Sequence, residues 1–254
     1  MTGQGSVPAA GHRPGATPEH VWSAWSPDRP TWVPDPAWRR VVVCAAHPDD
    51  EVLGVGGTMA LLAGAGVELH LVAVTDGGAS HPGNPVLGPA ELAAARVAES
   101  DHALTALGAG PVRVTRLGLP DAGVAAHEAE LAVALRPLLA GADAVLTTWT
   151  GDGHPDHEAV GRAALAAAGD AAGDAAGDAA VWQYPVWTWH WAVPDDPRVP
   201  WARAHEVPLP PSVRAAKQAA VACFTTQVHP LGPDPAVLPP EFLAHFDRDH
   251  EVLW

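Results

Sequence analysis

The sequence predicts an α/β fold, a single domain with a Rossmann-like, doubly wound and mostly parallel sheet. Apolar runs rich in β-branched residues, typical of strands buried on both faces, alternate five times with longer Ala- and Leu-rich segments typical of helices. Polar clusters directly follow several of these runs, at the strand ends where open parallel sheets bind ligands. The 254 residues suffice for one domain with a substantial core.

Five strands and five helices are expected from the apolar patterns and from their Gly and Pro boundaries. Pro89 opens the longest helix, Gly108 ends it, and Pro137 should kink or shorten the following helix. The strands are predicted at about 40–46, 68–75, 112–117, 144–149 and 181–184. The helices are predicted at about 52–66, 89–107, 127–139, from 156 onward and 212–223.

Two segments are expected to lie outside this regular pattern. Residues 1–36 are rich in Pro and Gly and lack any period, so we expect an irregular N-terminal arm whose tryptophans pack onto the domain formed by residues 37–254. Residues 169–180 repeat the tetrapeptide Gly-Asp-Ala-Ala, which indicates a low-complexity insert that the function does not need.

Composition excludes several classes of partner. A net charge of −15 with only 14 scattered basic residues argues against nucleic-acid binding. No apolar stretch reaches the length of a membrane span, and the first residues lack the features of a secretory signal, so a cytoplasmic protein is expected. Cys44 and Cys223 have neither metal-binding nor disulfide spacing. The sequence leaves open whether the chain forms a homo-oligomer.

Two clusters of His and Asp each follow an apolar run. His47, Asp49, Asp50 and Glu51 follow the first strand, and the segment 154–157, His-Pro-Asp-His, follows the fourth. Buried carboxylates are costly unless a cation or a proton-transfer reaction needs them. The alternative is that the first cluster only stabilises the start of a helix, but this leaves the second cluster unexplained. Together they predict one metal site.

The ligand types suit zinc, which in catalytic sites keeps three protein ligands and one open position. His47, Asp50 and either His154 or His157 would supply the set, and Fe²⁺ suits the same ligands. A bound water would become acidic enough to act at neutral pH, with Asp49 or Glu51 accepting its proton.

The two motifs together, in this order and about a hundred residues apart, closely resemble the PIG-L (LmbE-like) family of zinc-dependent N-acetylglucosaminyl deacetylases. The resemblance covers about residues 41–164, including Leu-Gly-Leu-Pro-Asp at 117–121. It implies one zinc ion per chain, bound by His47, Asp50 and His157, with Asp49 as the general base.

Further roles follow from the same comparison. His154 is expected to stabilise the oxyanion or to assist the leaving amine, and Asp121 to bind sugar hydroxyls or to cap a turn. Asp156 is expected to orient His154 through a hydrogen bond. The mycothiol-pathway members have a tyrosine two positions before the first His of the second motif, whereas this chain has Asp152 there.

Three other patterns carry weaker expectations. The glycines at 54–57 do not fit a dinucleotide fingerprint, because Met59 stands where its last Gly or Ala should be. Arg96 and Glu99 on the long helix are expected to form an exposed ion pair. Trp187, Trp189 and Trp191 would share one face of an extended segment, as a lid, a subunit interface or a sugar platform.

Together with this resemblance, the sequence predicts a metal-dependent amide hydrolase. The resemblance implies that it removes an acetyl or other acyl group from a small N-acetylglucosamine-containing conjugate. Zinc-bound water is the expected nucleophile, and Asp49 the base. The alternatives are a metal hydrolase of a different amide or ester, and a non-catalytic sugar-binding protein on the same fold. The presence of all three ligands together with Asp49 argues against the second alternative.

Overall fold

A five-stranded, all-parallel sheet forms the centre of the protein in the computed structural model, which describes residues 16–171 and 179–254. The strands, β3-β2-β1-β4-β5 in spatial order, are β1 (Arg40–Ala45), β2 (Glu68–Ala73), β3 (Arg113–Arg116), β4 (Ala144–Thr148) and β5 (Ala180–Tyr184). Chain order reverses beside β1, which pairs with both β2 and β4. This confirms the predicted fold class and creates a crevice where β1 and β4 end.

Helices cover both faces of the sheet because alternate strand residues point to opposite sides. Val41 and Val43 belong to one apolar core, and Val42 and Cys44 to the other. The first core is covered by α2 (Asp50–Gly64), α3 (Pro89–Leu107) and α7 (Pro211–Val221), and the second by α4 (Glu128–Leu139) and α5 (Pro155–Ala171). Within residues 16–171 and 179–254, none of the helices is long and apolar enough to cross a membrane.

The described part of the N-terminal arm packs against the domain, as its tryptophans predicted. Trp22 and Trp32 are buried, and Trp22 Nε1 donates to the carbonyl of Trp189 over 2.8 Å. The arm is not wholly irregular, since it contains the short helix α1 (Glu19–Ser23). Residues 1–15 of the arm, and residues 172–178 of the predicted insert, lie outside the described residues.

Helix α2 starts at Asp50, two residues earlier than predicted, and is kinked at Val55 (φ −138°). The glycine-rich run around this kink allows close packing. A Cβ on Gly54 would lie 2.2 Å from the ring of Tyr184, and one on Gly57 would lie 2.4 Å from Leu209. The run is therefore a packing feature of the helix.

The region after β5 adds further short helices and two strands. It forms the helices α6 (Thr188–Trp191), α8 (Thr225–Val228) and α9 (Pro240–Leu243), and β6 (His205–Pro208) pairs antiparallel with β7 (His250–Leu253). The buried carboxylate of Glu251 in β7 accepts hydrogen bonds from the backbone N–H groups of Gly57 and Thr58, just after the kink in α2, and from Lys217 Nζ at 2.7 Å. Strand β7 thus caps the second half of α2.

Candidate metal centre and active site

Three potential ligand residues meet in the crevice where β1 and β4 end. His47 and Asp50 come from the loop after β1 and the first residue of α2, and His157 from the first turn of α5. His47 Nδ1 lies 3.2 Å from His157 Nε2 and 3.3 Å from Asp50 Oδ2, and His157 Nε2 lies 3.2 Å from Asp50 Oδ1. Four-coordinate zinc with bonds of 2.0–2.1 Å holds its ligand atoms about 3.3–3.4 Å apart. The spacing therefore fits a divalent metal.

The outer nitrogens of both imidazoles face carboxylates. His157 Nδ1 lies 2.8 Å from Asp152 Oδ2, and His47 Nε2 lies 3.2 Å from Asp121 Oδ1 and 3.3 Å from Asp156 Oδ2. In the neutral rings, such contacts place the hydrogen on the outer nitrogen, and the lone pairs of the inner nitrogens are then directed at one point. This arrangement is typical of histidines that bind a metal.

The electrostatics of the cluster also favour a cation. Burial lowers the pKa of His157, but Asp50 and Asp152 outweigh it and raise that pKa to about 9. Burial opposes protonation of His47 as well, and hydrogen bonds to Asp121, Asp156 and Asp50 nevertheless hold its pKa well above the usual range. The carboxylates around the two imidazoles thus stabilise a positive charge at the point where His47, Asp50 and His157 meet.

His47, His154 and Asp156 form a second group with metal-binding spacing. We favour the set with Asp50 and His157, because in the second group His154 Nδ1 already accepts a hydrogen bond from the backbone N–H of Asp156 at 3.2 Å. The Asp156 carboxylate is also occupied by backbone donors, as described below.

Asp49 stands beside this cluster in a strained conformation. Its φ of 128° is unusual for a residue with a side chain and costs of order 1–3 kcal/mol. Its Oδ2 accepts from Arg96 Nη2 at 2.9 Å, and its carbonyl accepts from the N–H of Leu53 at 2.8 Å. Burial raises the pKa of the Asp49 carboxyl to about 7, assisted by Asp50 and opposed by Arg96. The carboxylate is not part of either metal-binding group.

Glu51, the alternative proton acceptor, points elsewhere. It is almost fully buried, and its Oε2 accepts from the backbone N–H of Asp49 at 3.3 Å. Burial raises the pKa of Glu51 to about 8, and the charges of Asp49 and Asp50 add to this effect. Glu51 therefore supports the backbone of the loop that carries Asp49.

His154 is half-buried, and its ring lies between His47, His157 and Trp187, with centroid distances of 4.9, 4.7 and 5.9 Å. Because Nδ1 accepts the Asp156 N–H, the ring hydrogen of neutral His154 lies on Nε2. Burial lowers the pKa of His154 far below its usual value, and the positive charges of His157 and His47 lower it further. His154 is therefore a neutral hydrogen-bond donor.

The structure corrects the expectation that the Asp156 carboxylate orients His154. That carboxylate accepts from the backbone N–H groups of Ala122 and Val124, at 2.8 and 3.0 Å, and faces His47. Only the backbone of Asp156 bonds His154, because the helix start turns the side chain toward the loop after β3. Asp121, expected to bind sugar or cap a turn, bonds His47 and accepts from Ala79 N–H at 2.7 Å; its substrate-binding role stays a prediction.

Asp152 was noted in the sequence only as a departure from the mycothiol-pathway pattern. Its side chain is fully buried, and besides His157 it accepts from the backbone N–H groups of Val186, Trp187 and Thr188 and from the Thr188 hydroxyl. It connects a proposed ligand to the segment after β5. An Asp among glycines two residues before the motif gave no sequence signal for these partners.

The expectation of an exposed Arg96–Glu99 pair was wrong. Both side chains are buried, and they bind different partners: Arg96 contacts Asp49, whereas Glu99 accepts from Thr225 and Thr226. The burial of Arg96 and Glu99 could have been recognised from their spacing relative to the apolar residues of the helix. Both residues lie on the inward stripe of α3, whose buried members are Leu92, Arg96, Glu99, Ser100, Ala103, Leu104 and Leu107.

The three alternating tryptophans do not share one face, because the segment that carries them is helical from Thr188 onward. Trp189 is buried and packs edge-to-face on Trp22, with 5.2 Å between ring centroids. Trp191 stacks against Trp149, whereas half-buried Trp187 lies beside His154. Only Trp187 borders the site.

Comparison with known proteins supports a common origin. The family model PIG-L, described as GlcNAc-PI de-N-acetylase, matches residues 42–168. The 1D-myo-inositol 2-acetamido-2-deoxy-alpha-D-glucopyranoside deacetylase 1 of Catenulispora acidiphila is 33% identical over 165 residues, covering 52% of this chain and 49% of that protein. A deacetylase of the same name, without the numeral, from Kineococcus radiotolerans is 34% identical over 173 residues, covering 52% and 46%. The chain thus spans about half the length of these curated relatives.

The fold is also found in the N,N'-diacetylchitobiose deacetylase of Pyrococcus horikoshii, with a TM-score of 0.56, 21% identity, and 76% of this chain and 72% of that chain covered. At this identity the likeness concerns the fold alone. The matched segment 42–168 includes both His/Asp clusters and the strands that position them. The chain belongs to the PIG-L family.

Proposed function

We propose that this protein is a metal-dependent amide hydrolase that removes an acetyl or other acyl group from an N-acetylglucosamine-containing conjugate. One observation carries the proposal. The imidazoles of His47 and His157 converge with the Asp50 carboxylate at 3.2–3.3 Å, and the outer nitrogen of each ring contacts a further carboxylate. The Asp49 carboxylate lies beside this group and is not needed as a metal ligand. The names of the curated relatives support the substrate class.

His47, Asp50 and His157 would hold the metal, with zinc as our first choice and Fe²⁺ as the alternative. A divalent metal at this position would polarise the acyl carbonyl and make water acidic enough to react at neutral pH. Asp152, Asp121 and Asp156 keep the hydrogens of the two imidazoles on their outer nitrogens, so that the inner lone pairs remain available.

The proton transfers fall to residues that do not hold the metal. Asp49 accepts a proton from the attacking water and, once protonated, can return it to the leaving nitrogen. His154, neutral and with its hydrogen on Nε2, donates a hydrogen bond to the oxyanion that forms at the acyl carbonyl. Asp121 and Trp187 border the site and are candidates for contact with the sugar.

Mass spectrometry of a panel of N-acetylglucosaminides incubated with the metal-loaded protein tests this function. We expect the loss of one acetyl group from at least one conjugate, and no loss from simple acetyl esters. Hydrolysis of the esters alone would identify a different hydrolase. Binding of the sugars without turnover, at full metal content, would identify a non-catalytic sugar-binding protein.

A further inference from the structure

Arg96 is a buried cation that joins two loops of the candidate active site. Its Nη2 donates to the carbonyl of Pro48 at 2.7 Å and to Asp49 Oδ2 at 2.9 Å, both in the loop after β1. Its Nη1 donates to the carbonyl of Gly77 at 3.0 Å, in the loop after β2. The Arg96 side chain is only 3% exposed, so these bonds are shielded from water.

The contact acts on a residue that cannot hold its position through local preferences. Asp49 has a φ of 128°, a conformation that side chains disfavour and that persists only where the surroundings enforce it. A guanidinium is planar and presents its donors in a fixed fork. Because one nitrogen bonds both the Pro48 carbonyl and the Asp49 carboxylate, Arg96 sets the side chain and the preceding peptide of Asp49 together.

The loop after β2 is shaped to admit this guanidinium. Gly77 has a φ of +70°, and a Cβ there would lie 2.2 Å from Arg96 Nη1. Gly83, in the same loop, has a similar φ of +76°, but a Cβ there would meet nothing within 4 Å. The two glycines therefore differ in their contact with Arg96 and not in their backbone conformation.

We infer that Arg96 is the positioning residue for Asp49, holding its carboxylate in the orientation needed to accept a proton. The inference rests on the proposed function, in which Asp49 is the general base. It assigns Arg96 neither to the metal nor to the substrate, so its removal should reduce the rate of the chemical step and leave binding intact.

Steady-state kinetics on Arg96→Lys and Arg96→Met should separate these roles. We expect kcat to fall by roughly 10²-fold for Arg96→Met, as for a displaced catalytic group, with KM within about twofold and the metal content unchanged. Arg96→Lys keeps the positive charge but loses the fixed planar arrangement of N–H donors, so we expect a loss of kcat between those of the wild type and Arg96→Met. A raised KM with normal kcat would make Arg96 a substrate-binding residue and overturn the inference.

A double-mutant cycle shows whether Arg96 acts through Asp49. In an Asp49→Asn background, the Arg96→Lys substitution should cause no further loss of kcat, because the group that it positions is absent. A further loss equal to that in the wild-type background would contradict the inference. Gly77→Ala should reproduce the kcat defect of the arginine variants, whereas Gly83→Ala, which has the same backbone cost, should retain normal kcat.

A crystal structure of Arg96→Lys tests the inference without any need for activity. We expect the Asp49 carboxylate to leave its present position and its φ to move away from 128°. An unchanged Asp49 would overturn the inference even if the enzyme is active. If the wild-type protein deacetylates none of the substrates, the proposed function fails, but the position of Asp49 in the variant still decides the structural role of Arg96.

Discussion

Asp152 accepts a hydrogen bond from His157, with 2.8 Å between Oδ2 and Nδ1. We predict that Asp152→Asn weakens metal binding by roughly 10–100-fold, because an amide cannot hold the imidazole hydrogen on Nδ1 as firmly. Metal titration of the purified protein measures this. Thr188→Val, which removes a hydroxyl donor to the other oxygen of Asp152, is the control and should keep normal affinity. Equal affinities in all three proteins would remove Asp152 from the metal site.

Asp49→Asn is nearly isosteric and should retain the metal and the fold. If Asp49 is the general base, kcat should fall by about 10²–10⁴-fold with KM little changed. Metal analysis together with steady-state kinetics is the measurement. Loss of the metal would mean that Asp49 and Asp50 have exchanged roles, and an unchanged kcat would make Glu51 the next candidate.

His154→Ala should retain the metal and lose roughly 10²–10³-fold in kcat, the usual cost of an oxyanion donor. His157→Ala is the matched comparison and should lose the metal, because a two-ligand site is weak. The opposite result, with metal lost from His154→Ala and kept by His157→Ala, would identify the group formed by His47, His154 and Asp156 as the metal site.

Lys217→Met should destabilise the protein by about 3–5 kcal/mol, because it leaves the buried carboxylate of Glu251 without its cation. Urea unfolding followed by circular dichroism measures the change in the free energy of unfolding. Arg214→Ala is the control on the same helix: the side chains of its pair with Asp247 are 39% and 48% exposed, and the pair should contribute at most about 1 kcal/mol. Similar costs for the two variants would show that the buried pair of Lys217 and Glu251 contributes no more to stability than the exposed pair of Arg214 and Asp247.

The contribution of Glu19 to the stability of the fold should depend on pH. Its carboxylate binds Arg248 and His245. Burial raises the pKa of Glu19, but these hydrogen bonds and charges outweigh it and hold the pKa below its usual 4.5. The ionised form is thus stabilised in the folded state, so the contribution is complete above pH 4.5 and disappears as the pH falls through the lower, folded-state pKa.

Glu19→Gln should therefore lower Tm at pH 7 by roughly 2–4 °C, the effect of about 1 kcal/mol, and by less as the pH falls below the usual range of a glutamate. Thermal unfolding at several pH values measures this. A difference in Tm between the wild type and Glu19→Gln that does not change with pH would show that the charge of the Glu19 carboxylate does not stabilise the N-terminal arm.

The structure confirms the sheet that the sequence predicted. The apolar periodicity of each element and its Gly and Pro boundaries are local signals, so they can be recognised in the sequence alone. That the two clusters carrying His47, Asp50 and His157 meet at one edge followed from the rule that parallel strands end together. The choice of His157 over His154 as a proposed ligand came from the resemblance to the PIG-L family. The partners of Arg96, Asp152 and Glu251 could not be predicted. Each is a buried charge with at least one partner 34 or more positions away in the chain, and the choice among many possible pairings depends on three-dimensional packing.

The region after β5 shows the same limit. The alternation of Trp and polar residues would place the indoles on one face if the segment were extended. Instead, Asp152 accepts hydrogen bonds from three successive N–H groups, from Val186 to Thr188, and a helical turn starts there. The hydrogen bonds to the Asp152 carboxylate, which is distant in the chain, thus determine the conformation of this segment more than the local alternation of residues does. The role of Trp187 beside His154 emerged only with this turn.

The cap on α2 also concerns the order in which the molecule folds. The bond from Gly57 N–H to Glu251 spans 194 positions of the chain. The helix that begins with Asp50 therefore reaches its final form only after almost all of the described chain has been synthesised and has collapsed around it. During synthesis on the ribosome, His47 and Asp50 would be exposed long before β7 exists. Contacts of such long range slow folding, so the candidate metal centre should mature late, and it depends on a strand that supplies none of its proposed ligands.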